Sequence, residues 1–157
     1  MHSTILEASP SRADPGYICG YASVWANEPQ NGYIIRPGAF GDFIREARQS
    51  GRNIPLLFGH NDKNACCFIG SVVELKEDDT GLYFEAVFDS TIWARQAREL
   101  AKSRRVTRLS IGFQATDCGK VTLPDGSTEE NVWAANLREI SLVLYAADPR
   151  AYITRIT

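Results

Sequence analysis

Histidine is almost missing from this chain. Of 157 residues only His2 and His60 are histidines, and His2 stands in a terminal segment expected to fray. Any histidine-dependent chemistry within one subunit therefore falls to His60, and the common zinc hydrolase sites, which need several imidazoles, are not expected. The four cysteines, Cys19, Cys66, Cys67 and Cys118, contain no C-x-x-C pair, which argues against a zinc knuckle or a thioredoxin-like motif. They read as reduced thiols of a cytosolic protein. Positive charge is not in excess: 17 Lys and Arg stand against 19 Asp and Glu, so the basic stripe of a nucleic-acid module is absent. No apolar run approaches the ~20 residues of a membrane span. Met1 to Arg12 lack the basic end and apolar stretch of a secretory signal. Apolar residues are not scarce either: at 44% hydrophobic and 23% charged the composition excludes a disordered chain. The length suits one domain by the soft rule of roughly 100–200 residues each.

What is present is mostly strand pattern. Residues 1–15 are polar, contain Pro10 and Pro15, and read as a flexible arm. Alternation predicts a strand from Tyr17 to Trp25 and a short one from Tyr33 to Ile35 after the Asn31–Gly32 turn. Pro37–Gly38 opens a helix with Phe40, Phe43, Ile44 and Ala47 on one stripe and Gly51 as its stop. Ile54 to Phe58 is a short buried strand ending at Gly59–His60. Phe68 to Leu75 and Leu82 to Phe88 form a hairpin around a solvated turn. Ser90 or Thr91 caps a second helix to about Arg104, with Trp93, Ala97, Leu100 and Ala101 as its buried stripe. Strands over Val106 to Ala115, Val121 to Leu123 and Leu137 to Tyr145 complete the pass, with a turn at Pro124–Asp125–Gly126. The expectation is a mostly β, α+β fold: an antiparallel barrel of about seven strands with peripheral helices, since closure removes exposed edges. A sandwich is the alternative.

Three residues could carry chemistry. His60 follows a strand end. Ser110 lies in a strand on the face opposite Leu109, Ile111 and Phe113, beside Gly112, where a substrate backbone could approach. Glu139 lies among apolar neighbours in the last strand, where a carboxylate is costly unless paired. A serine hydroxyl needs a base to take its proton, and imidazole has the right pKa. The imidazole needs a carboxylate to fix its tautomer and balance its charge. Serine, histidine and glutamate on three strands are thus a sufficient set. Ordinary readings of each stand beside it: a structural serine, a surface histidine, a glutamate paired with Arg138 or Arg108. No G-x-S-x-G surrounds Ser110, which argues against a nucleophile elbow.

Read in order, Gly20–Tyr21–Ala22–Ser23–Val24, Ile35–Arg36–Pro37–Gly38–Ala39–Phe40, Ile54–Pro55–Leu56–Leu57 leading to His60, Ile69–Gly70, Gly81–Leu82, Leu109–Ser110–Ile111–Gly112–Phe113 and Glu139–Ile140–Ser141–Leu142–Val143 resemble the tailed-phage prohead protease family. The ordered set, with its L-S-I-G-F and E-I-S-L-V blocks, is specific and covers about residues 17–151. The resemblance implies a fold similar to the herpesvirus assembly proteases, with residues 16–157 as a single serine protease barrel domain. It implies a serine endopeptidase that cleaves the scaffold segment of the major capsid protein, and possibly itself, inside the assembling procapsid in the host cytoplasm. A homodimer is expected, with no cofactor, metal, nucleic acid or membrane involved. The family's histidine falls on His60, its serine on Ser110, and Glu139 is the matching acidic position, with Asp62 and Asp148 as alternatives. By analogy the oxyanion loop is about Ala146–Arg150. Ala147–Asp148–Pro149 departs from the family's usual P-A-N-P stretch. The competing class is an inactive capsid assembly or scaffold protein that keeps the protease fold, and a small ligand-binding barrel is a third reading.

Overall fold

The computed structural model describes residues 16–29 and 31–157. The expected arm at 1–15 lies outside the described residues. Eight strands and two helices follow one another as β1 (Tyr17–Val24), β2 (Tyr33–Ile35), α1 (Gly41–Ser50), β3 (Pro55–Phe58), β4 (Phe68–Glu77), β5 (Gly81–Phe88), α2 (Ile92–Lys102), β6 (Arg108–Thr122), β7 (Thr128–Val143) and β8 (Tyr152–Ile156), with a single 3-10 turn at Ala65–Cys67 before β4.

The helices follow their sequence signals. Gly51 ends α1 in the left-handed region at φ 67°, donating its N–H to the Ala47 carbonyl. Thr91 caps α2, its side chain accepting the N–H of Ala94. The buried stripe of α2 is Ala94, Ala97 and Ala101 rather than one that includes Trp93, which is about half exposed. Small residues let this helix lie close to the sheet, and the large indole is left at the margin of the contact.

Long β7 organises the sheet. On one edge it pairs antiparallel with β6 along its whole length. On the other edge β2 and β3 add end to end, β2 against Glu130–Val132 and β3 against Ile140–Leu142, both parallel to β7. The chain then runs β3–β4–β5–β1–β8 through antiparallel neighbours. The sheet is therefore mixed and has eight strands, and among the described residues no ladder joins β6 to β8. This corrects the expectation of a closed antiparallel barrel of about seven strands. The physical reason is α1: a helix between β2 and β3 carries the chain onward in the same direction, which a tight turn cannot do. The C-terminal strand β8, not anticipated from the sequence, pairs with β1.

The segments expected at Val106–Ala115 and Val121–Leu123 are one strand, β6, and β7 begins at Thr128 rather than near Leu137. Register shifts at Gly112/Phe113, Ala115/Asp117 and Asp117/Cys118 break the alternation that sequence reading depends on. The core gathers Ile18, Phe40, Leu56, Phe84, Leu109, Ile140 and Leu142, all buried.

Candidate active site

The site forms where β3 ends against β7. Gly59 and His60 are both left-handed, at φ 72° and 60°. Glycine takes that conformation freely; for histidine it is a strained choice that surrounding contacts must enforce. The Gly59 N–H still continues the parallel ladder, donating to the Leu142 carbonyl at 2.9 Å. The His60 N–H leaves the ladder and donates to the Ser141 hydroxyl at 3.2 Å. The double left-handed turn brings the imidazole back over β7.

There it meets Glu139. His60 Nδ1 is hydrogen-bonded to Glu139 Oε1, and the second carboxylate oxygen, Oε2, accepts the Ser141 hydroxyl at 2.6 Å. A register shift decides this placement. Gly112 pairs with Glu139 but Phe113 pairs with Leu137, which leaves Arg138 without a partner in the ladder. Leu137 thereby joins Ile140 and Leu142 in the core, while Glu139 and Ser141 face His60. Such bulges re-aim side chains. Gly112 makes room: a Cβ there would stand 2.5 Å from Glu139 Oε1.

Burial divides the pair. The Glu139 side chain is 8% exposed and the His60 side chain 41%, so the carboxylate sits in the protein while the ring edge meets solvent. The hydrogen bond from the ring to the Glu139 carboxylate raises the His60 pKa above its ordinary value, against the opposing effect of partial burial. The two arginines considered as ordinary partners for Glu139 are engaged elsewhere: Arg138 donates to Gln114 and Arg108 to the Pro149 carbonyl.

Ser110 is buried and lies directly across the β6–β7 ladder from Ser141, on the side that carries Glu139. Among the described residues no hydrogen bond joins it to His60. The structure thus brings His60 and Glu139 into contact and places Ser110 on the adjoining strand, two pairs along from Gly112 and Glu139. Ser110 also lines a cleft with Ser23, Val24, Ala147, Asp148 and Arg150, so the segment expected to act as the oxyanion loop lies beside it. Of the two other candidate acids, Asp62 is exposed in the loop after His60. Asp148 is occupied, accepting the N–H of Val24 and both the backbone and side chain of Arg150.

Sequence reading missed Ser141. Its signal was present, because a residue two after Glu139 in a strand shares its face. The contact between Gly112 and Glu139 was also out of reach, since it depends on which strand lies alongside.

Residues 4–157 match the protein family described as Caudovirus prohead serine protease. The chain is 32% identical to the prohead protease of Enterobacteria phage HK97 over 139 residues, 88% of this chain. It spans 59% of that relative's length. Among solved structures it is similar to KSHV protease in complex with a hexapeptide phosphonate inhibitor, with a TM-score of 0.58 and 12% identity, covering 87% of this chain and 63% of the other. At that identity the likeness is one of fold, and it agrees with the herpesvirus-protease-like architecture expected from the sequence.

Proposed function

The chain belongs to the caudovirus prohead serine protease family, and from that premise we propose that it is a serine endopeptidase that cleaves the scaffold segment of the major capsid protein during procapsid assembly. The observation that carries the reading is the pairing of His60 with buried Glu139 beside Ser110. Ser110 is the nucleophile, His60 the base and Glu139 the group that orients it. With Nδ1–H donated to Glu139, His60 presents Nε2 as the free acceptor. That nitrogen takes the Ser110 proton as Oγ attacks the scissile carbonyl. The imidazolium so formed is balanced by the carboxylate and then returns the proton to the leaving amine. Water later repeats the sequence on the acyl-enzyme. The missing Ser110–His60 bond is compatible with this chemistry, because catalytic hydrogen bonds are often loose without substrate and tighten in the complex.

Co-expression with the cognate capsid protein tests the proposal. The expected result is a shortened capsid band with the wild-type chain and a full-length band with Ser110→Ala. A full-length band with both, in folded protein, overturns the reading and favours a non-enzymatic assembly role.

A further inference from the structure

We infer that Ser141 is a positioning residue that holds Glu139 and His60 as one unit, through a single hydroxyl bonded to the side chain of one and the backbone of the other. A hydroxyl has one proton to give and two lone pairs to receive with. Ser141 gives its proton to Glu139 Oε2 and receives the N–H of His60. The contacts close a ring: His60 backbone to Ser141, Ser141 to one carboxylate oxygen, the other oxygen back to the His60 imidazole. Both ends of the histidine are thereby referenced to one buried carboxylate.

The ring also accounts for the strained backbone. His60 leaves the ladder in a left-handed conformation, and its N–H takes the Ser141 hydroxyl as its partner in place of a ladder carbonyl. Ser141 is completely buried, so the partner it supplies is fixed by the packing of the sheet. The bond to the carboxylate is short and charge-assisted, the stronger class of hydrogen bond. Ser141 lies opposite Ser110 in the ladder but is not needed to touch the scissile bond, which separates positioning from catalysis.

The inference rests on the proteolytic reading for its kinetic part and on geometry alone for the rest, so two measurements are combined. In the first, the His60 ring is titrated by NMR in the full chain, with His2→Gln removing the only other histidine signal. Glu139 is the only charged group among the described residues that raises the His60 pKa. In Ser141→Ala the pair is no longer held in register, and His60 is expected to titrate at lower pH than in the wild type, nearer the ordinary imidazole value. Ser141→Thr, which keeps the hydroxyl, is expected to restore the wild-type titration. If Ser141→Ala fails to fold, Ser141→Cys, of similar shape but a weaker hydrogen bonder, is expected to show the same lowering. In the second measurement, steady-state cleavage of capsid protein is expected to show about a tenfold loss of kcat with KM unchanged. A His60 titration that is unchanged or moved upward in the folded variants overturns the inference. Absence of cleavage by the wild type instead breaks the proteolytic reading, and leaves the titration to decide the role of Ser141 alone.

Discussion

The two ends of β7 carry the same arrangement with different chemistry. Near its start, Glu129 and Asn131 face Arg36, the residue just after β2; toward its end, Glu139 and Ser141 face His60, which follows β3 by one glycine. In each case a glutamate on β7 pairs with a basic side chain delivered by a short parallel strand, and a polar residue two positions later completes a ring. Asn131 donates to Glu129 Oε1 and accepts from Arg36 Nε, while Arg36 Nη2 meets Glu129 at 2.8 Å. Ser141 plays the corresponding part for Glu139 and His60. What differs is the basic group. A guanidinium never releases its proton in the working pH range, so the β2 end can only hold structure. An imidazole can, and Ser110, the proposed nucleophile, stands on the neighbouring strand. Parallel addition to β7 supplies the geometry twice, and the residue type decides which copy can do proton chemistry.

Substitutions of the proton-handling residues should separate the two ends most sharply. Ser110→Ala and His60→Ala are each expected to lower capsid cleavage by about 10⁴-fold or more, with melting temperature nearly unchanged. Arg36→Ala should show the reverse, with cleavage per folded molecule close to wild type. Near-normal cleavage by either Ser110→Ala or His60→Ala breaks the comparison at its functional end.

The glutamates give the next contrast. Glu139→Gln keeps the shape but not the charge that balances the imidazolium, and turnover should fall by about 10²- to 10⁴-fold. Glu129→Gln should leave turnover alone and cost about 1.5–3 kcal/mol of stability, the range for a hydrogen bond to a charged group, read by denaturant unfolding. If Glu139→Gln lowers stability and spares turnover, Glu139 is a structural residue like Glu129.

Two glycines on β6 extend the same test. Gly112→Ala puts a methyl 2.5 Å from the Glu139 carboxylate oxygen and should displace it, with turnover falling by about 10²-fold. Gly119→Ala meets Trp133 at 3.2 Å, and that ring is exposed enough to move aside. Its effect should stay within about 0.5 kcal/mol. Equal effects from the two variants would show that Gly112 serves the strand rather than the carboxylate.

The smallest effect is one of pH. Because Glu139 raises the His60 pKa, kcat/KM should rise with pH and reach its half-maximum above the ordinary imidazole value of 6.5. Stability moves the other way. The protonated pair stabilises the folded state fully below the unfolded pKa, and that contribution is lost as pH rises through the folded pKa. Unfolding of Glu139→Gln should lack this dependence, while Arg36 contributes none in either protein.

Much of this was legible in the residues. The helix caps at Gly51 and Thr91 and the hairpin of Phe68 to Leu75 with Leu82 to Phe88 follow from local rules that need no knowledge of the fold. The scarcity of histidine pointed to His60, and alternation placed Ser110 opposite Leu109. Other features resisted. The β6–β7 hairpin was read as separate pieces because its bulges interrupt the alternation. Trp93 was assigned to a buried stripe because hydrophobicity does not reveal how closely a helix approaches a sheet.

By itself, the sequence determined which chemical groups this protein has to work with: one usable imidazole, a strand serine beside a glycine, and a glutamate that apolar neighbours oblige to find a partner. Only the tertiary structure decided which groups meet. Plain alternation would place Leu137, Glu139 and Ser141 together on one face. The register shift at Arg138 separates Leu137 from the other two, and it exists only because β6 runs alongside. The partner of Glu139 was settled by β3 adding parallel to β7 and turning left-handed at its end, rather than by the adjacent Arg138. Local propensity acts over a few residues, whereas the partner of a buried charge is set by strands that lie far apart in the chain and side by side in the sheet.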